Sequence, residues 1–254
     1  WAEDLRTLYR NLERDEAVID LDRRMIASCR REQGAGSACK QFWHGALAAD
    51  LVTARRLDEA HAAFTEWQTT AEAALGIASV QARKARWEFS FFLKNEGRLD
   101  EAVALRERSL AIEEEAYGTM AAETVEHAGR LYEFYFDAGQ YDNAEQLARR
   151  FAQAHIADRG FDDFNTQLWR FRASVPMQRR GDAEGALREL EAIVADAKGA
   201  PTKYPLDTSL LALNEQLGRY DAAEQILLKD LAEAGQDPQA QGDVWTKLAE
   251  FYDN

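Results

Sequence analysis

Apolar positions recur every three or four residues through long stretches of this chain, the spacing that turns one face of a helix toward a core. Leu5, Leu8 and Leu12 form one such stripe, and Val18, Leu21 and Met25 the next. The stripes come in pairs, and their limits predict helices over 3–11 and 14–31, 39–54 and 57–75, and 80–96 and 98–117. Further pairs follow over 121–138 and 140–159, 163–180 and 182–198, and 206–217 and 219–235. Several of the second helices run into a glycine: Gly76, Gly118 and Gly160. A last stripe through Trp245, Leu248, Ala249 and Tyr252 follows Asp237-Pro238 and predicts one more helix. Gln33-Gly34-Ala35-Gly36-Ser37 reads as a loop, and Gly199-Ala200-Pro201-Thr202 with Pro205 as a break. Pro176 falls inside a predicted helix, where its missing N–H predicts a kink. No Val/Ile/Thr-rich alternating run argues for a strand.

The pairs repeat. Gly97-Arg98-Leu99-Asp100-Glu101-Ala102 is answered 42 residues later by Gly139-Gln140-Tyr141-Asp142-Asn143-Ala144. With the final alanine as a ruler, Ala60 lies 42 residues upstream of Ala102, and Glu13–Ala17 matches more weakly 43 residues before that. Ala186 lies 42 residues beyond Ala144, and Ala223 lies 37 beyond Ala186. A fixed period of this size is the mark of stacked supersecondary units sharing one core. Alanine at that point lets two helices of a hairpin approach closely, and glycine before it supplies a left-handed helix end.

The turns of the Gly97 and Tyr141 type, the Asp-Glu-Ala and Asp-x-Ala helix starts and the run Arg108-Ser109-Leu110-Ala111-Ile112 resemble tetratricopeptide repeats. The resemblance is to their longer form, found in kinesin light chains and bacterial signalling proteins, and it covers essentially the whole chain. It implies an all-α, right-handed superhelical α-solenoid of stacked antiparallel hairpins, about six pairs plus a terminal helix. As one domain over 1–254, its units are 1–38, 39–78, 79–120, 121–161, 162–204 and 205–237, with a terminal helix at 238–254. The family places a small residue twelve positions before the ruler alanine. Ala48, Ser90 and Ser174 fit, whereas Tyr132 and Leu211 do not, so those two hairpins are expected to be splayed or repacked.

Composition narrows the function. The chain is 46% hydrophobic and 30% charged, ordinary for a folded domain. A net charge of −14 works against nucleic acid, because phosphate neutralisation dominates that affinity. The charge reads as solubility of outer helical faces such as Glu113-Glu114-Glu115. No apolar stretch reaches the roughly 20 residues that span a bilayer, so no membrane insertion is expected within the chain. His44, His61, His127 and His155 form no His-Glu-x-x-His pattern and no close pair with cysteine, so no metal site is expected, and His44 reads as a core residue. Phosphate-binding and nucleophile motifs are missing as well, so no catalytic residue, cofactor or enzymatic activity is expected.

Cys29 and Cys39 flank the first loop. Two readings stand: a disulfide across the turn, which implies an extracytoplasmic compartment, periplasmic or secreted, or two partly buried thiols in a cytoplasmic protein. The chain opens on Trp1 and stops within the first helix of a seventh unit. That fits either a last helix that caps the array or a trimmed or excised piece of a longer protein.

The resemblance also places a partner. In such solenoids the first helix of each pair lines the concave face, which takes an extended peptide or a partner helix. Counting back from the ruler alanines puts Phe42, Lys84, Trp87, Phe91, Lys94 and Asn95 on that face. Phe136, Phe171 and Arg179 follow, with Arg130 and Arg172 adjacent. An aromatic and basic stripe on an acidic protein suits an apolar segment carrying acidic groups. Large aromatics such as Trp67 and Trp169 read instead as filling between hairpins. Lys84, Asn95, Arg130 and Arg172 lack the spacing of the family's carboxylate clamp, since Trp87 and Phe91 occupy key places, which argues against a receptor for chaperone tails. The expected function is therefore a scaffold or adaptor for a protein or peptide. The alternative is a regulatory or sensory region of a larger bacterial signalling enzyme, a kinase or a caspase-like protease.

Overall fold

A computed structural model describes residues 1–33, 38–198, 202, 204–235 and 237–253. Residues 34–37 of the expected loop and 199–201 of the expected break lie outside them. The described residues form thirteen helices and no strand. In order these are α1 (Ala2–Asn11), α2 (Asp15–Gln33), α3 (Ala38–Thr53), α4 (Leu57–Leu75), α5 (Val80–Asn95), α6 (Leu99–Tyr117) and α7 (Ala122–Asp137). They continue as α8 (Tyr141–Arg159), α9 (Phe164–Arg179), α10 (Ala183–Asp196), α11 (Asp207–Gln216), α12 (Tyr220–Glu233) and α13 (Pro238–Asp253). The chain divides into two compact units, Trp1–Phe134 and Tyr135–Asn254. Helix α9 runs continuously through Pro176 to Arg179. So close to the helix end the ring removes little, and the Pro176 carbonyl still accepts from the Arg180 N–H.

The hairpin turns share one backbone device. An N–H just ahead of the second helix reaches back to a carbonyl five residues earlier. The pairs are Arg14 to Tyr9, Arg56 to Leu51, Arg98 to Leu93, Gln140 to Tyr135, Asp182 to Met177 and Arg219 to Asn214, all between 2.8 and 3.0 Å. This closure requires the residue before each donor to take a left-handed conformation. Gly97, Gly139, Gly181 and Gly218 do so with φ of 74°, 69°, 88° and 68°. Glu13 and Arg55 hold the same place in the first two hairpins, at φ of 53° and 59°. The turn therefore survives where its glycine is missing, at a cost in backbone strain. Arg55→Gly is expected to raise stability by about 0.5–1 kcal/mol, the strain relieved less the flexibility glycine adds to the unfolded chain. A urea midpoint that stays put or falls would contradict this reading of the turn.

Close approach follows from the small residues. Ala60, Ala102, Ala144, Ala186 and Ala223 are all 0% exposed, as are Ala48, Ser90 and Ser174. The buried hydroxyls of Ser90 and Ser174 donate to the carbonyls of Trp87 and Phe171, each at 2.7 Å, so neither is left unpaired. Tyr132 is buried despite its bulk, and Leu211 packs against Leu227, Val244 and Leu248.

In the first unit the core is built from Val18, Ile19, Trp43, Leu51, Phe64, Trp67, Phe89, Phe92 and Leu93, among others. Phe64 stacks on Phe89 at 5.6 Å and on Phe92 at 5.1 Å, so aromatic faces join α4 to α5. A disulfide links Cys29 near the end of α2 to Cys39 at the start of α3, with the Cα atoms 6.1 Å apart. Closing so short a loop removes unfolded-state entropy worth about 2–3 kcal/mol. The Cys29→Ser/Cys39→Ser protein is expected to lose that amount in a denaturant titration, and an unchanged midpoint would show that the bridge stabilises nothing. In the second unit Phe151 stacks on Trp169 at 4.9 Å. A cluster of Met177, Leu187, Leu190, Ile193, Leu206, Leu210 and Leu213 joins α9, α10 and α11.

Candidate partner-binding surface

Helical periodicity brings Gln41, Phe42, Gly45, Ala46 and Ala49 onto one side of α3. Lys84 and Glu88 stand one turn apart on α5. These side chains, with Arg6, Phe64 and Trp67, line a pocket of about 240 Å³ in the first unit. The pocket has a sequence cause. Fifteen places before the ruler alanines Ala60, Ala102, Ala144 and Ala186 the chain carries Gly45, Trp87, Gly129 and Phe171 in turn, and eleven places before them Ala49, Phe91, Glu133 and Val175. The second hairpin therefore lacks the two aromatics that the third presents. Beneath Gly45 lies Trp67, so close that a Cβ on residue 45 would stand 2.8 Å from the ring. In this hairpin the aromatic bulk comes from the second helix, and the surface above it is left concave.

One hairpin on, the aromatics are used differently. Arg106 of α6 is 2% exposed, and its guanidinium lies 4.0 Å from the Trp87 ring centroid, 5.1 Å from Phe91 and 4.8 Å from Phe134. Its Nε and Nη2 meet no hydrogen-bond acceptor among the described residues, so the ring faces take the place of acceptors. Burial pushes this guanidinium down to about 10, with the charge of Arg130 adding to the push and Glu113, Glu133 and Glu88 opposing it. Arg130 flanks Trp87 at 5.7 Å and pairs with Glu133 at 3.3 Å, while Lys94 Nζ stands 5.1 Å over Phe134. Next to this cluster His127 Nδ1 lies 2.7 Å from Glu113 Oε1. Of the acidic run 113–115, Glu115 stays exposed, but Glu113 is only 1% exposed and leaves the solvated face its sequence suggests. Its place in the helix turns it toward His127, fourteen residues on.

The expected binding residues thus fall into distinct groups. Phe42, 46% exposed, and Lys84, also exposed, border the pocket. Trp87, Phe91, Lys94 and Arg130 come together, and the first two are half-buried over Arg106. Asn95 is exposed as the last residue of α5. In the second unit Phe136 leans on Tyr141 at 5.4 Å, and Phe171 packs on Tyr204 at 4.9 Å beside the core cluster. Arg172 lies 4.6 Å over Trp169, and Arg179 is exposed at the end of α9.

Several features that shape the surface escaped the sequence reading. Gln41 and Trp67 border the pocket, their own polar atoms buried and without a partner among the described residues, and Arg6 reaches it from α1. Arg6 and Arg10 are themselves held by Asp50. Only the register of Gly45 against Trp87 signals the pocket in advance. His44 is buried in the core, as its packing row implies. Among the described residues no three His, Cys, Asp or Glu side chains are grouped to hold a metal ion, and no helix is long and apolar enough to cross a membrane.

No family model matches the chain, and no curated protein matches it. Solved structures do. The chain is similar to the crystal structure of a Podosopora anserina putative kinesin light chain with nearly identical TPR-like repeats. Identity is 16% and the TM-score 0.56, with 78% of this chain and 94% of that one covered. A singly substituted form of the same protein gives 15% and 0.54, covering 77% and 92%. Identity this low carries the fold alone. The hairpin period, the shared turn closure and these likenesses agree: the chain has a tetratricopeptide-type, all-α helical repeat fold.

Proposed function

We propose that the chain is a non-catalytic interaction module that binds a protein or peptide segment on residues of its first helices. The observation that carries this reading is the pocket on α3 and α5, bordered by the exposed Phe42 and Lys84. Aromatic and cationic side chains are the types that dominate interface energies when they are desolvated. The similar solved structures are TPR-like repeats of a putative kinesin light chain, and repeat arrays offer extended surfaces to partners. The segment that fits is apolar with acidic groups, for which the exposed Lys84 is an accessible counter-charge. With its bridged cysteines the module belongs in an oxidising compartment.

The packing of Trp87 and Phe91 over Arg106 decides which variants test the proposal. Truncating either ring uncovers a buried guanidinium, so lost binding would be confounded with lost structure. Phe42→Ala with Lys84→Glu alters exposed groups only. The double variant is expected to keep the parent's melting temperature and to weaken capture of the cognate partner by about tenfold or more. Full capture by this folded double variant would remove the inner residues of unit 1 from the binding surface.

A further inference from the structure

We infer that the outer side of α1 is a docking surface for one amphipathic helix of a partner protein, a helix with leucine or isoleucine along one face and an acid beside it. This surface is separate from the pocket on α3 and α5.

The turn closure puts the hairpins in register. Eight, four and one residues before the carbonyl that accepts it stand Ala85, Phe89 and Phe92 on α5 and Leu206, Leu210 and Leu213 at α11. All five later hairpins bury these three positions. On α5 the cover is Phe64 of α4, stacked on Phe89 and Phe92. At α11 the three leucines share one cluster with Leu187, Leu190 and Ile193 of α10. In both cases the apolar face of the preceding second helix lies on the stripe. In the first hairpin the same count, made from the Tyr9 carbonyl, gives Trp1, Leu5 and Leu8. Leu5 is half-buried, but Trp1 is 87% exposed and Leu8 51%, and Leu12 one turn further is 57% exposed. Helix α1 thus presents the apolar stripe that the other hairpins cover, and the molecule itself shows what kind of helix fits it.

Charge agrees with shape. Arg14 donates the turn-closing N–H in the first hairpin, as Arg56 and Arg219 do in theirs. Arg56 pairs with Glu16 of α2 at 2.8 Å and Arg219 with Glu191 of α10 at 3.8 Å, each reaching the second helix of the hairpin before its own. Arg14 is exposed over the Tyr9 ring at 5.4 Å and pairs with no acid among the described residues. A helix laid on Trp1 and Leu8 with a carboxylate on its flank answers the stripe and the arginine together. A second copy of the chain is a poor occupant, because both copies carry a net charge of −14 and α1 itself begins with Glu3 and Asp4.

The test uses the full chain and a fluorescein-labelled peptide of residues 182–198, the chain's own example of such a helix. Anisotropy is expected to rise saturably as the chain is added. Leu8→Glu, at an exposed position, is expected to weaken binding at least about tenfold by placing a charge in the apolar seam. Arg14→Glu is expected to weaken it about threefold or more, an effect that shrinks in high salt. Both variants are expected to keep the parent's melting temperature, and a Leu190→Glu peptide is expected not to bind. The absence of saturable binding, or binding that is the same in the parent and in Leu8→Glu, would overturn the inference. Sedimentation of the chain alone is expected to show a monomer. A concentration-dependent dimer lost in Leu8→Glu would give the stripe to a second copy and overturn the partner helix.

Discussion

Arg86→Ala is expected to lower stability by about 3–5 kcal/mol, the range for breaking a buried ion pair by removing one partner. Arg86 is almost wholly buried in α5. Its Nη1 donates to Glu72 Oε1 at 3.0 Å and to the Ile77 carbonyl at 2.9 Å, and its Nε to Ser109 Oγ at 3.1 Å. One side chain thus joins α4, α5, α6 and the turn between two hairpins. Burial alone would raise the Glu72 carboxyl. Hydrogen bonds from Gln68 and Arg86, with the charge and hydrogen bond of Arg108, outweigh it and hold Glu72 below the ordinary carboxylate range. A depressed acid contributes stability above its unfolded pKa and loses it as pH falls through the folded value. The difference between parent and Arg86→Ala, read from urea midpoints, is therefore expected to be full at pH 7 and to narrow below about pH 4.5. A loss under about 1 kcal/mol at pH 7 would show that Arg86 does not organise this joint. Arg170 stands at the same register two hairpins on and is also buried, but its ion pairs stay within its own hairpin, to Asp196 at 2.6 Å and Glu189 at 3.4 Å on α10.

Asp22→Asn is expected to act in the opposite pH window. Asp22 of α2 is fully buried beside Asp50 of α3, near Arg6 at 3.2 Å, and with Arg10 also on Asp50. Burial chiefly, then the shared hydrogen bond with Asp50 and its charge, push Asp22 up to about 8, with Arg6 and Arg10 opposing. Near neutrality Asp22 therefore keeps its proton and donates to Asp50, whose carboxylate receives the two arginines that hold α1. Helix α1 has no buried residue of its own, so this polar joint is its main anchor. A raised acid pKa means the folded state binds the proton more tightly. The stability so gained is full below the unfolded pKa near 3.8 and is lost as pH rises through about 8. Each tenfold gain in proton affinity is worth about 1.4 kcal/mol, so the change is on the order of several kcal/mol. Asparagine keeps a donor for Asp50 and cannot ionise. The variant is expected to match or trail the parent at pH 5 and to exceed it at pH 9. Parallel stability curves from pH 5 to 9 would contradict the shared proton.

The repeat was legible because its signals are local. A left-handed turn demands glycine and a close helix crossing demands alanine, and both are satisfied by residues within one hairpin. The turn at Gly97 and the contact at Ala102 could thus be placed from the sequence, and their register located the turns at Glu13 and Arg55 where glycine is absent. Buried charge is not local. Glu113 looks like one acid among three until His127 of the next hairpin is set beside it, and Arg86 looks solvated until Glu72, fourteen residues earlier, meets it. The same limit governed the surface. Counting from the ruler alanines found the face of α5 that holds Trp87 and Phe91. Whether those rings stand open depends on Arg106, one helix later, which draws them down. The open place lies instead where the pattern has Gly45 and Ala49, residues too small to attract notice.

Hydrogen–deuterium exchange of the chain with and without a captured partner tests the proposed surface most directly. Slower exchange is expected over residues 41–49 of α3 and 84–95 of α5, with α4 and α6 unchanged. Protection confined to α4 and α6, with α3 and α5 exchanging as in the free chain, would contradict it.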